Sequence, residues 1–490
     1  MKSSRIISIL TAMLTAISLI LAALPVYAEN PVVQTSFTPD PAPVVFDDVL
    51  YFYCGEDSLE DNGFYNMISW HCFSTTDMVN WTDHGVIMRP EDFEWAEEGS
   101  AWAAQCIERN GTFYLYVTVT TEGGRAIGVA TSKSPTGPFK DALGKPLCGP
   151  NWLYIDPTVM IDDDGQAYLY FGNPNAYYCK LNEDMISLDG EIKQQNMTAE
   201  AFGTMGGENP SSYVEGPWIY KREGLYYLVY ASHGVPEGIS YSTSDSPLGP
   251  WKYGGVIMNP GSSTTIHPGI IEYKGHDYFF YHGVLLPNGG WNKRSTCIME
   301  FEYNDDGTIP LITHSMRGVS PIDNFDPYRR VSAGTMAYSE SAWSRSEKDG
   351  VYIDVSAGGY IKVASVDFKD GAKSLSAKLK SSDGDAKVYV LLDSQFGTNI
   401  GTIELKSGGS LKNYTCELKE NSGVHDLYFV FQANPGSQVT FESWEFSTEE
   451  YTGGGGSSAI LLIVLACVAV IAVAAVLIAV KMAKGKKSAA

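Results

Sequence analysis

The stretch DPTVMIDDDGQAYLY, from Asp156 to Tyr170, has a form that the chain repeats. A start residue leads into a short apolar run, a polar turn and an aromatic-rich strand. The same form begins at Asp40 (DPAPVVFDDVLYFY), Ala103 (AAQCIERNGTFYLY), Glu215 (EGPWIYKREGLYYLVY) and His267 (HPGIIEYKGHDYFFY). The starts lie roughly 50 to 65 residues apart, the period of four-stranded propeller blades. In a propeller, equivalent positions of all blades crowd around the central axis. The shared position carries Asp40, Ala103, Asp156, Glu215 and His267. Three carboxylates and an imidazole are therefore expected in one cavity, although they are far apart in sequence.

The segments between these starts echo one another as well. FSTTDMVNWTDHG (Phe73 to Gly85), ATSKSPTGPFKD (Ala130 to Asp141) and YSTSDSPLGPWKYGG (Tyr241 to Gly255) each read as a strand, a turn rich in Ser, Asp, Pro and Gly, and an aromatic. They fit outer hairpins, because these residues pre-set φ or tolerate positive φ. YYCKLNEDMISLDG (Tyr177 to Gly190) is the variant of the third blade. Helical periodicity is nearly absent between residues 32 and 320. Beyond the repeats, GGYIKVASVDF, AKSLSAKLKS, AKVYVLLDS, HDLYFVFQA and VTFESWEFS alternate with period two between polar turns. That pattern predicts a β-sandwich. The predicted fold is all-β: a five-bladed β-propeller over residues 29–325, followed by a jelly-roll-like β-sandwich over residues 326–448.

Both ends of the chain are apolar. Lys2 and Arg5 precede a mostly apolar run from Ile6 to Leu24, and Val26-Tyr27-Ala28 supplies a small-x-small cleavage site. Residues 1–28 are expected to be a signal peptide. Residues 449–458 read as a Gly/Ser linker. Ala459 to Val480 is uninterrupted and apolar, long enough to cross a bilayer of ~30 Å as a helix. Lys481, Lys484, Lys486 and Lys487 follow it, so residues 481–490 read as a basic cytoplasmic tail. The expectation is an exported, cell-surface protein with its bulk outside and a C-terminal transmembrane helix in the membrane.

The net charge of −23 over 490 residues argues against a nucleic-acid partner, whose phosphates need a basic face. The 30 Tyr and 10 Trp suit stacking on sugars and equally suit an all-β core. Apart from Cys467 in the apolar run, seven cysteines remain at irregular spacing. An odd, irregular set does not read as a disulfide framework. Several lie in apolar strands, where a thiol packs as a small hydrophobe.

A cavity with several acids suits acid–base chemistry. Hydrolysis of a glycosidic bond needs one carboxyl group to protonate the leaving oxygen and another to activate water or attack the sugar. Close acids spread their pKa values, so one stays protonated near neutral pH. Asp40 and Glu215 are the pair to weigh, with Asp156 placed to raise and orient Glu215. His267 is a candidate ligand for a central cation or a buried hydrogen-bonding group. Trp102 is a candidate stacking wall, and Arg294, in LLPNGGWNKRST, a candidate donor to sugar hydroxyls or to a carboxylate. Asp162-Asp163-Asp164-Gly165 lacks the ligand spacing of an EF-hand and reads as a hairpin turn.

DPAPVVFDD, STTDMVNWTDHG, RAIGVATSKSPTGPFKDALGKPL, IDPTVMIDDDGQAYLYFGNPN, YVEGPWIYKREGLYYLVYA and HPGIIEYKG together resemble glycoside hydrolase family 43 over residues 32–320. The wording is most similar to arabinoxylan arabinofuranohydrolases and xylosidase-type members. The resemblance implies a five-bladed propeller and an inverting mechanism. It puts the base on Asp40, the acid on Glu215 and the residue tuning the acid on Asp156. It also implies a central cation, such as Ca2+, near His267, no organic cofactor, and an Arg294 that contacts a carboxylate or the sugar. Glu56-Asp57 and Ser100-Ala101-Trp102 depart from the family pattern close to the cavity. GGYIKVASVDFKDGAKSLSAKL and GVHDLYFVFQ resemble a family 6 carbohydrate-binding module, with Tyr338, Trp343 and Trp444 as candidate platforms.

These readings converge on removal of α-L-arabinofuranosyl groups from arabinoxylan or related plant polysaccharides. β-Xylosidase or arabinanase activity is the alternative within the class. A non-catalytic surface glycan-binding protein, or an adhesion ectodomain, is the alternative outside it.

Overall fold

The computed structural model describes residues 29–60, 63–205, 210–287 and 289–451. Five antiparallel sheets form the propeller. The first holds Ala42–Phe46, Val49–Asp57, Met67–Thr75 and Trp81–Met88, and the second Ala104–Arg109, Thr112–Thr121, Gly124–Ser132 and Lys140–Asp141. Thr158–Ile161, Ala167–Phe171, Tyr177–Leu181 and Leu188–Gln194 make the third. Tyr213–Arg222, Leu225–Ser232, Gly238–Ser244 and Lys252–Met258 make the fourth. The fifth has Gly269–Tyr273, His276–Gly283 and Ser295–Phe301.

The innermost hairpins explain why the repeat is so legible. Phe46 pairs with Val49, Arg109 with Thr112, Arg222 with Leu225 and Tyr273 with His276, each across a two-residue loop. In the last three loops the pairs are Asn110-Gly111, Glu223-Gly224 and Lys274-Gly275, and both residues of each have positive φ. Asp47-Asp48 does the same in the first. Two left-handed residues make the turn whose twist matches that of the flanking strands. The third blade uses the longer Asp162–Gly165 turn, where Gly165 N–H donates to the Asp162 carbonyl. Lys221 and the Tyr226 hydroxyl hold that turn through Asp162.

Side chains from adjacent sheets form the core between them. Trp70 and Leu115 meet between blades one and two, Phe171 and Tyr116 between two and three, and Tyr170 and Leu228 between three and four. Tyr241 and Tyr281 join blades four and five, and Phe52 and Phe280 close the ring. At roughly 25 cal/mol per Å2 of apolar surface, these wedges are the main stabilising term of the propeller. The three-stranded fifth blade is completed by the N-terminal segment. Val32 N–H donates to the Thr296 carbonyl at 2.9 Å and Thr38 N–H to the Arg294 carbonyl at 2.9 Å. The chain start thus ties blade five to blade one.

Nine further strands between Val331 and Ser447 make the sandwich. Its longest strand, Gly350–Asp367, changes partners along its length. Ile353–Ser356 pairs with Gln438–Phe441, whereas Tyr360–Val363 pairs with Leu427–Val430. The switch falls at Gly358-Gly359, where Gly358 has φ 87° and a Cβ on Gly359 would stand 2.6 Å from the Glu340 carbonyl oxygen. Only glycine fits so close a backbone approach. Trp444 is buried in the sandwich core, so it is no platform, while Trp343 is exposed at the surface. The two domains share structure. Thr335–Met336 adds a fifth strand to blade one beside Trp81–Met88, and Asn80 exchanges two hydrogen bonds with the backbone of Ala364.

The expectation of a C-terminal transmembrane helix requires correction. Among the described residues no helix is long and apolar enough to cross a membrane. The described helices are a single turn at Ala199–Phe202 and a 3-10 turn at Pro90–Asp92, because the apolar residues are spent on strands. Residues 459–480, like the expected signal peptide over 1–28, lie outside the described residues. The seven described cysteines are buried free thiols.

Candidate active site

The start residues do converge, and the backbone shows how. Asp40 and Asp156 each precede a proline and adopt left-handed backbone, with φ of 56° and 61°. Aspartate is among the few residues that visit this region. Outside contacts hold the conformation. Asp40 N–H donates to His282 Nδ1 at 3.1 Å, and Asp156 N–H donates to the Thr118 hydroxyl at 3.1 Å.

Glu215 arrives by a different route. The residue that matches Asp40 and Asp156 in backbone is Gly216, which precedes Pro217 and has φ 59°. Glu215 pairs with Ala231 and Trp218 with Val229, so one extra residue bulges between them. The sequence register that levels Glu215 with Asp40 is therefore off by one. A bulge re-aims a side chain, and here it sets Glu215 among the other acids. Gly216 N–H donates to Asp156 Oδ2 at 2.9 Å, and Asn173 Nδ2 donates to Glu215 Oε2. A Cβ on Gly216 would meet His267 Nδ1 at 3.3 Å, which puts His267 against the bulge.

Arg294 is a cation of the cavity and is buried. Its Nε and Nη2 donate to Asp57 at 3.0 and 2.8 Å, and its Nη1 donates to Asp40 Oδ1 at 3.2 Å. The Tyr65 ring lies 4.6 Å from the guanidinium. Trp102 stands at the rim. Its Nε1 donates to Thr120, and Arg125 lies 5.9 Å from its ring. Phe64 meets it edge-on with centroids 6.5 Å apart.

These contacts separate the acids electrostatically. Burial alone would raise Asp40, but the Arg294 guanidinium outweighs it and holds the carboxyl well below its ordinary range. Asp156 and Glu215 go the other way. Burial first, then Asp40 acting on Asp156 and Asp156 acting on Glu215, push the two carboxyls up to about 7. Burial drives the imidazoles of His267 and His282 below their ordinary range. One ionised carboxylate therefore faces a carboxyl pair that retains a proton near neutrality. That combination can activate water on one side and protonate a leaving oxygen on the other.

The family model of glycosyl hydrolases family 43 matches residues 28–309, more than half of the chain. The chain belongs to glycosyl hydrolases family 43. As a member of that family it is a glycoside hydrolase. The carbohydrate binding module (family 6) matches residues 330–448. An arabinoxylan arabinofuranohydrolase of Bacillus subtilis is 30% identical, over 85% of this chain and 92% of that protein. A xylosidase/arabinosidase of Bacteroides ovatus is 32% identical, over 57% of this chain and 96% of that protein. The crystal structure of the Bacillus subtilis arabinoxylan arabinofuranohydrolase in complex with cellotetraose has a TM-score of 0.73 and 28% identity. It covers 86% of this chain and 97% of that one.

The family 43 cavity also contains residues that the sequence reading passes over. His282, Asn173 and Arg125 carry no repeat signal, and Asp57 stands out only as a departure from the family pattern. Asn173 has a faint signal, because it follows the third repeat directly in FGNPN. The donor set does not suit the Ca2+ expected at His267. Among the described residues no group of three or more His, Cys, Asp and Glu is placed to hold a metal ion. Asp40 Oδ1 is turned to Arg294 and Asp156 Oδ2 to Gly216. Calcium prefers six to eight oxygens, and no step here runs through a metal.

Proposed function

We propose that this family 43 hydrolase removes α-L-arabinofuranosyl groups from arabinoxylan or a related plant polysaccharide with inversion. The observation that carries this reading is the span of the similarity. The arabinoxylan arabinofuranohydrolases of Bacillus subtilis and Paenibacillus polymyxa match 85% of this chain, through propeller and sandwich together. The xylosidase/arabinosidase of Bacteroides ovatus and the β-xylosidase of Xylanibacter ruminicola match 57%, little more than the propeller, and the xylosidase/arabinosidase of Thermoclostridium stercorarium matches 82% at a lower identity of 24%.

In this reading Asp40 is the base. Arg294 keeps it ionised, ready to take a proton from a water poised at the anomeric carbon. Glu215 is the acid. Burial and the adjacent Asp156 keep its proton in place until the leaving oxygen receives it. Asp156 also orients the acid, since its Oδ2 holds the Gly216 N–H next to it. Water attacks as the glycosidic bond breaks, and inversion follows because attack and departure occur on opposite faces. No organic cofactor takes part. Trp102 and Arg125 line the approach and suit a sugar ring and its hydroxyls.

The test is sugar release from arabinoxylan by the purified protein beside Glu215→Gln. Arabinose release that disappears in the variant supports both the activity and the acid. Xylose as the product would move the assignment to β-xylosidase. Binding of the polymer without release of either sugar would support a glycan-binding protein instead.

A further inference from the structure

A further acid lies behind the site. Glu237 immediately precedes the strand Gly238–Ser244 of blade four and is 2% exposed. Its backbone N–H donates to the Thr264 carbonyl at 3.1 Å, and its Oε2 accepts the Ile266 N–H at 2.9 Å. Residues 264–266 belong to no strand, so their buried backbone groups need partners from elsewhere. Glu237 supplies two of them. One residue thus does for this segment what a neighbouring strand does for the rest of the blade.

The same segment carries the scaffold of the base. The Thr265 carbonyl accepts the Nε2–H of His282 at 2.9 Å, which leaves Nδ1 as the acceptor of Asp40 N–H. That one tautomer satisfies both bonds. The Thr265 hydroxyl accepts from Arg294 Nη1 at 3.4 Å, the nitrogen that also reaches Asp40. The Thr264 hydroxyl meets the Tyr65 hydroxyl at 2.9 Å, and Tyr65 covers the guanidinium. His267 follows in the same run. One contact of each blade-five partner of Asp40, from His282 Nε2 and from Arg294 Nη1, thus goes to Thr265, next to the Ile266 N–H that Glu237 holds.

Glu237 forms no ion pair among the described residues, and Glu215, Asp156 and Asp40 are its charged neighbours. A buried carboxylate without a cation is costly, so burial and those acids drive its carboxyl strongly upward. It serves as a neutral group whose carbonyl-type oxygen is what the segment uses.

We infer that Glu237 is a positioning residue of this hydrolase: its carboxyl and backbone clamp Thr264–Ile266 and through that segment set His282 and Arg294 against Asp40. This rests on the proposed role of Asp40 as base. Three full-length variants test it on arabinoxylan. Glu237→Gln keeps a neutral acceptor for Ile266 N–H, and its kcat is expected to stay within about twofold of wild type. Glu237→Ala, and Glu237→Asp if the alanine variant does not fold, are expected to lower kcat by about tenfold or more with KM nearly unchanged. A glutamine variant as impaired as alanine would overturn the inference, since the charge itself would then matter. Wild-type kcat in both alanine and aspartate variants would overturn it as well. Side-chain 15N NMR of His282 gives a readout that needs no turnover. The Nε2–H tautomer should persist in wild type and in the glutamine variant, and should be lost or averaged in the alanine or aspartate variant. Unchanged His282 signals there would remove the clamp whatever the substrate proves to be. A wild-type protein that releases no sugar would instead remove the functional reading and leave the NMR result to decide on Glu237.

Discussion

Asp156 Oδ2 accepts the backbone N–H of Gly216 at 2.9 Å. This bond fastens blade three to the bulge that carries Glu215, so one aspartate both fixes the acid's backbone and faces its carboxyl.

The two roles can be separated by substitution. Asp156→Asn keeps an acceptor for Gly216 N–H but removes the charge that raises Glu215. The alkaline limb of kcat/KM is expected to move to lower pH by about one unit, with a moderate loss of kcat. Asp156→Ala loses both functions and should cost about a hundredfold or more in kcat. pH–rate profiles of the two variants check this. An unmoved alkaline limb in the asparagine variant would show that Asp156 does not tune the acid.

Glu215→Gln should abolish turnover and stabilise the fold in a pH-dependent way. Glu215 has a raised pKa in the folded protein, near 7, against an ordinary value of 4.5. The folded state therefore holds more protons than the unfolded state between about pH 4.5 and 7, and its stability falls as pH rises through that window. Glutamine does not titrate. The variant's melting temperature is expected to exceed wild type at pH 8 and to match it at pH 4. Equal melting curves at pH 8 would contradict the raised acid.

Arg294→Met is expected to destroy activity and to destabilise the protein by about 3–5 kcal/mol, because Asp57 would be left buried and unpaired. Asp57 is 2% exposed and has Arg294 as its one ion-pair partner among the described residues. Arg294→Lys should recover little. A lysine has one nitrogen where the site uses three. Denaturant titration beside activity assays tests both. The double variant Arg294→Met, Asp57→Leu should regain much of the stability and none of the activity.

Removing residues 331–448 should cost the propeller stability. The outer strand of blade one would lose Thr335–Met336 as its neighbour, and Ala337 and Ala364 would leave a core they share with Trp81 and Phe52. An exposed strand edge invites aggregation. Asn80→Ala is the milder form of the same test. It should lower the melting temperature by a few degrees, for a loss of about 1–3 kcal/mol, and leave kcat unchanged. A truncated propeller as stable as the whole chain would show the domains to be independent.

The repeat in the sequence was sufficient for the blades, since each carries its own turn residues and its own alternation. Asn110-Gly111 and Lys274-Gly275 specify their hairpins locally. Asp40, Asp156 and His267 are legible because each leads an inner strand, and the symmetry of a propeller turns that shared position into proximity. The charge balance among them was not legible. Arg294 reaches Asp40 across 254 residues and Asp57 across 237, and no local pattern encodes those contacts. The bulge at Gly216-Pro217 depends on how that strand pairs with Leu225–Ser232. Glu237 and His282 gain their meaning from a segment that has no strand partner of its own. The sequence by itself determined the strands, their turns and the acids at the axis, because those follow from local periodicity repeated five times. Tertiary structure alone decided which acid stays ionised and which keeps a proton, because pKa is set by burial and by neighbours that the chain brings together only on folding.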